Sequence, residues 1–185
     1  DHSALAAVLG GTLAGARCYT LTNSQGLLLM TEVVYHVAGL RQPIVMGVVN
    51  RALSAPHSRF PEHGDVVSQA GSGWIQLFCE NNQDILDNTI QAFRIAEQLR
   101  TPVMVNYEGY LQSHTLEEVS VPEQEKVDAF LPLKRQPALD LTNPKGVNTV
   151  TGPEFYPTYK YKQNEAMLEA LKLVPEVAEA YNKQF

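Results

Sequence analysis

Arg51 closes an apolar run. The stretch Pro43-Ile44-Val45-Met46-Gly47-Val48-Val49 gives way to Asn50-Arg51 and then to the loop Ala52-Leu53-Ser54-Ala55-Pro56. A guanidinium placed there can grip a carboxylate through two parallel hydrogen bonds, and the plainer alternative is a solvated arginine. His57 and His63 share the next loop with Glu62 and Asp65, the one acid/imidazole cluster of the sequence. His2, His36, His57, His63 and His114 show no metal-ligand spacing, so a hydrogen-bonded loop is expected there and a metal site is not. Gly10, Gly11 and Gly15 lie inside a helical run with no strand before them and no Lys-Ser/Thr after them, which argues against a phosphate loop and for a close-packing face. Cys18 and Cys79 sit far apart in strand-like apolar contexts and read as buried thiols; no C-x-x-C is present to hold an iron–sulfur cluster. No Gly-x-Ser-x-Gly elbow or Cys/His nucleophile pair offers acyl chemistry.

These residues need elements to position them, and hydrophobic periodicity supplies a set. A helix is expected over 3–16, a strand over 17–22, the polar turn Asn23-Ser24-Gln25-Gly26, and a helix over 27–38 stopped by Gly39. A strand over 44–49 leads into the long loop to Asp65. A strand over 74–79 leads to Glu80-Asn81-Asn82, with Asn82 as cap of a helix over 83–99, and a fourth strand covers 102–106. Strand and helix alternating four times argue for an α/β fold with a parallel sheet flanked by helices. In such a sheet the polar segments Asn23–Gly26, Asn50–Arg51, Glu80–Asn82 and Asn106–Glu108 share the carboxyl edge, where ligands bind. Residues 1–114 form this domain. Beyond it, 115–160 are rich in proline, with one short helical candidate at 123–130 and with Phe130, Phe155, Tyr156 and Tyr159 as aromatics. This reads as an extended arm braced by a partner chain, because disordered segments are poor in aromatics. Residues 161–185 close in an amphipathic helix, over 162–185, with a kink or break at Pro175.

Composition narrows the function classes. A net charge of −6 with no Lys/Arg cluster excludes an electrostatic footprint for nucleic acid. No apolar run approaches a membrane span, and the 44% hydrophobic, 18% charged composition is globular, so a cytoplasmic protein is expected. The first residues run straight into an apolar helix without a methionine or a leading strand, which reads as a segment of a longer chain. On the residues alone the reading is an α/β domain with a small-molecule site at Arg51.

Four stretches carry a resemblance: DHSALAAVLGGTLAGAR, TNSQGLLLMTEVVYHVAGLRQPIVMGVVNRALSAP, GWIQLFCENNQDILDNTIQAFRIAE and PVMVNYEGYLQSHT. Together they resemble the pyrimidine-binding domain in the α subunit of the thiamine-diphosphate-dependent 2-oxoacid:ferredoxin oxidoreductases, the pyruvate synthases in particular. The likeness runs from Asp1 to about Pro132 and more loosely to the end. It implies oxidative decarboxylation of pyruvate to acetyl-coenzyme A and CO₂, with electrons passed through iron–sulfur clusters to ferredoxin. It also implies a composite site. This domain would cover the pyrimidine half of thiamine diphosphate, while partner subunits or domains hold Mg²⁺ with the diphosphate and carry the [4Fe-4S] clusters.

The same resemblance gives residues their roles. Arg51 matches the family arginine that binds the substrate carboxylate. Ser24, Gln25 and Gly26 fall at the cofactor. Asp1 stands where the family has a glutamate that hydrogen-bonds the pyrimidine ring; it is one methylene shorter, and capping the following helix is its other reading. Ala70-Gly71 replaces a family Arg-Asp pair, and the family's upstream Tyr-Pro-Ile-Thr-Pro segment is not in the chain. Two alternatives stand beside pyruvate oxidation. One is another 2-oxoacid, branched-chain or oxalate, and the other is a non-catalytic structural paralogue or a thiamine-independent binding module.

Overall fold

In the computed structural model, which describes residues 1–134, 137–147 and 150–185, side-chain alternation along the strands sorts the sequence into two cores. Four strands, β1 (Tyr19–Asn23), β2 (Val45–Asn50), β3 (Ile75–Phe78) and β4 (Val103–Glu108), form one sheet in the order β1-β2-β4-β3. Every pairing is parallel, so all four carboxyl ends lie on one edge. The expected α/β fold is the one observed.

Because strand side chains point alternately to opposite faces, Met46 and Val48 enter one core while Val45 enters the other. On the first face pack α1 (His2–Leu13), α2 (Ser24–Leu29) and α3 (Thr31–Gly39), through Leu5, Leu27, Met30 and Val34. Trp74 is sealed into this layer and donates its indole N–H to the Val34 carbonyl at 2.8 Å. On the second face lie α5 (Asn82–Leu99) and α7 (Tyr156–Gln184), through Ile95, Ala96, Ala170 and Val177. Each fully buried aliphatic side chain contributes roughly 1.5–3 kcal/mol. Between β2 and β3 run the short α4 (Gly64–Val67) and a 3₁₀ turn at Ala70–Ser72; α6 (Gln124–Phe130) packs on α7.

Several expectations change in detail. The helix expected over 27–38 starts at Ser24 and breaks at Met30. Thr31 accounts for the break, since its hydroxyl donates back to the Leu28 carbonyl at 2.8 Å, a bond that competes with the helix. Asn81, not Asn82, caps α5: its side chain accepts from the Asp84 N–H at 2.8 Å. Gly10 is no packing glycine, because a methyl there would meet nothing within 4 Å, whereas one on Gly11 would meet Cys18 Sγ at 3.0 Å. Gly15 serves conformation as well as space, with φ of +91° against Pro137. The terminal helix begins at Tyr156 and runs unbroken past Pro175, held on α5 by Val177 and by the Tyr181 hydroxyl, which donates to Asp87 at 2.7 Å. Cys18 and Cys79 are free and only partly buried, at opposite ends of the sheet.

The arm lies on its own chain. Glu117 accepts from the Asn82 N–H, and Ser120 exchanges hydrogen bonds with Gln83 at the start of α5. Arg17 donates to the carbonyls of Leu131 and Pro132, and the N–H groups of Ala138 and Leu139 both reach the Leu13 carbonyl. The arm therefore travels from the carboxyl edge of the sheet to its amino edge. Residues 135, 136, 148 and 149 of the arm lie outside the described residues.

Candidate functional site

Polar groups concentrate where the strands end. Among the described residues, Thr22 Oγ1, Asn50 Oδ1, Arg51 Nε, Gln69 Oε1, Ser72 Oγ and Asn106 Oδ1 are buried without a hydrogen-bond partner. Of these, Thr22, Asn50, Arg51 and Asn106 fall in the second halves of β1, β2 and β4 or at the residue after. Buried polar atoms are normally paired, and leaving one unpaired costs roughly 1–3 kcal/mol. Four of these atoms thus gather at the carboxyl edge.

Around Arg51 the chain is held from two sides. Asp65, fully buried at the start of α4, accepts the Asn50 side-chain amide through Oδ1 at 2.9 Å and the Arg51 backbone N–H through Oδ2 at 3.2 Å. On the other side Gly109, just past β4, donates its N–H to the Asn50 carbonyl at 3.0 Å. The Arg51 stem lies across that glycine. No ion pair involving Arg51 is present among the described residues, and its Nε is buried and unpaired.

Beside it, the end of β1 meets the Arg51 loop. Ser24 takes φ of +29°, a region that residues with a Cβ rarely visit, and its hydroxyl lies against the carbonyls of Arg51 at 3.3 Å and Ala52 at 3.1 Å. Gln25 donates to Ser54 Oγ at 3.1 Å. Asp1 stands at the cap position of α1, yet its side chain makes no capping bond. Its carboxylate lies instead over Gly26: a methyl on Gly26 would come within 2.7 Å of Asp1 Oδ2 and of Thr22 Oγ1 alike. The missing side chain of Gly26 thus makes room for the Asp1 carboxylate and the unpaired Thr22 hydroxyl, which close over the glycine. Asp1, Ser24, Gln25, Gly26 and Arg51, the five residues singled out from the sequence, are brought to this one edge.

Comparisons with known proteins give the family. Residues 1–179 match the family model described as pyruvate flavodoxin/ferredoxin oxidoreductase, thiamine diphosphate-binding. The chain belongs to that family. Its relatives include pyruvate synthase subunit PorA of Thermotoga maritima, 44% identical over 189 residues, and of Methanothermobacter thermautotrophicus, 40% identical over 188. Ketoisovalerate oxidoreductase subunit VorA of Pyrococcus abyssi is likewise 40% identical over 188 residues. All three alignments cover the whole of this chain but only 48%, 49% and 47% of those relatives, so the chain spans about half their length. Among solved structures, a 2-oxoglutarate:ferredoxin oxidoreductase from Magnetococcus marinus superposes with a TM-score of 0.69 over 92% of this chain and 36% of its own. At 20% identity that match speaks to the fold.

Further residues at this edge carry a weaker signal in the sequence. Thr22 and Gly109 stand outside the sequence reading of the site, Asn106 enters it only within the polar edge segment Asn106–Glu108, and Asp65 only beside the imidazoles. The signal lay in the two-residue period. Inward positions that are aliphatic early in a strand turn polar at its end, as in Met46-Val48-Asn50 and Met104-Asn106-Glu108. The histidines part company: His57 Nδ1 lies 3.4 Å from Ser54 Oγ, while His63 packs edge-on against Phe78 with ring centroids 5.3 Å apart. Among the described residues no three His, Cys, Asp or Glu side chains converge on a point that could hold a metal ion. No helix there is long and apolar enough to cross a membrane.

Proposed function

We propose that this chain is the pyrimidine-facing part of a subunit of a thiamine-diphosphate-dependent 2-oxoacid:ferredoxin oxidoreductase, with pyruvate as substrate. One observation carries the reading: Arg51, held by its backbone at a carboxyl edge, keeps a buried guanidinium Nε with nothing to bind. A 2-oxoacid carboxylate fits that fork in charge and in planar geometry. Asp1, exposed at this edge beside Gly26, supplies a carboxylate acceptor for a protonated ring nitrogen. Thiamine diphosphate, when bound, supplies the carbanion that attacks the 2-oxo carbon. The chain's own part is to hold the ring at Asp1, orient the carboxylate at Arg51 and shield the site with the 51–63 loop.

Mg²⁺ and the iron–sulfur clusters are placed on partner subunits or domains, as are the docking of coenzyme A and of ferredoxin. Cys18 and Cys79, at opposite ends of the sheet, cannot ligate one cluster together. Pyruvate is preferred over bulkier acids because Ala52 and Ser54 line the Arg51 loop with small side chains. The ketoisovalerate relative makes the branched 2-oxoacid the second reading.

The test uses the complex assembled with its partner chains, assayed anaerobically for coenzyme-A-dependent dye reduction. Pyruvate should give the higher kcat/KM against 2-oxoisovalerate. Arg51→Lys should raise the KM for pyruvate roughly 10–100-fold, the equivalent of about 1–3 kcal/mol, with thiamine diphosphate retained. Loss of cofactor at unchanged KM would assign Arg51 to the cofactor instead, and absence of turnover in the intact complex would favour a structural paralogue.

A further inference from the structure

Arg51 is free to bind because its neighbours hold its backbone and leave its head alone. Asp65 already accepts from the Arg51 backbone N–H, and a side-chain ion pair between the two would satisfy the guanidinium and close the site. Instead Asp65 spends both oxygens elsewhere: Oδ1 accepts from the Asn50 amide at 2.9 Å and from the Val66 N–H at 2.7 Å, and Oδ2 accepts from the Arg51 N–H at 3.2 Å. A carboxylate with no exposed surface and no cation pairing it among the described residues is an expensive feature for a fold to keep. Fixing the backbone turn after β2 explains it.

Gly109 completes the hold. A methyl placed there would lie 2.7 Å from Arg51 Cγ, 2.9 Å from Arg51 Nε and 2.8 Å from the Asn50 carbonyl oxygen. One of these is a backbone atom, which cannot swing aside, and another is the near end of the arginine stem. Gly109 does not adopt a positive φ, so its glycine identity answers to space. The space is the trough in which the arginine stem lies.

We propose that Asp65 and Gly109 are positioning residues for Arg51, and that together they set the affinity of the site for a 2-oxoacid carboxylate. The proposal rests on the reading of Arg51 given above, and a double-mutant cycle separates the two. Gly109→Ala and Asp65→Asn are each made in the wild-type and in the Arg51→Ala background of the assembled complex. The probe is oxamate, an unreactive isostere of pyruvate with a single carboxylate. Its dissociation constant is read by ligand-observed NMR, which reaches the millimolar range, and that of thiamine diphosphate is measured separately by calorimetry.

In the wild-type background each substitution should weaken oxamate at least tenfold while thiamine diphosphate binding changes little, with complex melting read alongside to confirm assembly. In the Arg51→Ala background, where the Cγ and the fork are gone and Gly109→Ala meets only the Asn50 carbonyl, each should change oxamate affinity less than threefold. A loss that is equal in both backgrounds, or no loss in the wild type, overturns the positioning role. If Arg51→Ala itself leaves oxamate untouched and weakens thiamine diphosphate, the reading of Arg51 has failed, which is a different signature. Should one variant not assemble, the other carries the cycle, because one acts through volume and the other through a hydrogen bond.

Discussion

At the scale of the residue, the orphaned Thr22 hydroxyl sets stability against function. Valine has nearly the shape of threonine and an equal liking for a strand, so Thr22→Val removes an unpaired polar atom without opening a cavity. The unliganded chain should gain about 1 kcal/mol, read as a rise in its urea midpoint. The assembled complex should bind thiamine diphosphate roughly tenfold more weakly, because a hydroxyl beside Asp1 that can pair with the cofactor is lost. A gain in stability without any loss of affinity would show that the hydroxyl faces nothing. Cys79 gives a pH-dependent counterpart. Burial pushes its thiol up to about 11, against the help of a hydrogen bond from Asn88. The folded state therefore favours the neutral thiol. That preference is complete below the free-thiol value of about 8.5 and is lost as pH rises toward about 11. Alkylation of Cys79 by iodoacetamide should keep accelerating up to about pH 11, since only the thiolate attacks. A plateau near pH 8.5 would contradict the burial argument. Arg51 was legible at this scale because an Asn-Arg pair ending an apolar strand is visible in one dimension. Gly109 was not, because the reason for its missing side chain lies across the sheet on β2.

At the scale of the element, periodicity located every strand to within two residues and every long helix, but not what ends them. α5 shows why. Asn81 and Asn82 are equivalent by composition, and the choice turns on backbone: Asn81 is extended, with φ of −150°, so its side chain reaches forward to the Asp84 N–H. Asn82 is already helical and spends its amide on the Thr115 carbonyl at 3.3 Å. Asn81→Ala should therefore cost about 1 kcal/mol in the urea midpoint. Asn82→Ala should cost less, because it loses only an exposed bond to the arm. Equal losses would mean that the cap is not what holds the helix start. The break between α2 and α3 hid from the sequence for a related reason. A threonine in a run of leucines and valines fits a helix by pattern, and only the direction of its hydroxyl bends the chain. That bend matters to the site, since it sets α2 apart as a short element carrying Ser24, Gln25 and Gly26 under the Arg51 loop.

At the scale of the whole molecule, the sheet order puts β2 and β4 side by side, so the loops carrying Arg51 and Gly109 meet although nearly sixty residues separate them in sequence. The apolar side chains left outside describe what the fold still lacks. Leu28, Leu29, Leu111 and Phe60 are exposed around the carboxyl edge, and Leu21 on the edge strand is 56% exposed. Along the arm, Leu116 and Leu141 are almost wholly in water, although the backbone between them is pinned to α5, α1 and Arg17. Single exposed leucines are ordinary, but a fixed backbone that presents them in series to solvent marks a contact surface. The arm is thus held by its own chain in a shape that displays apolar groups outward, and we expect partner chains to cover them. Hydrogen exchange gives the measurement. In the separated chain, amides of residues 115–123, which form no helix or strand, should exchange fast, and in the assembled complex they should slow by at least tenfold. The separated chain should also associate on sedimentation, because the edge strand β1 has an unpaired side and Leu21 beside it. A monodisperse, well-folded monomer whose arm exchanges at the same rate in the complex would show that these leucines stay in water and that the partner docks elsewhere.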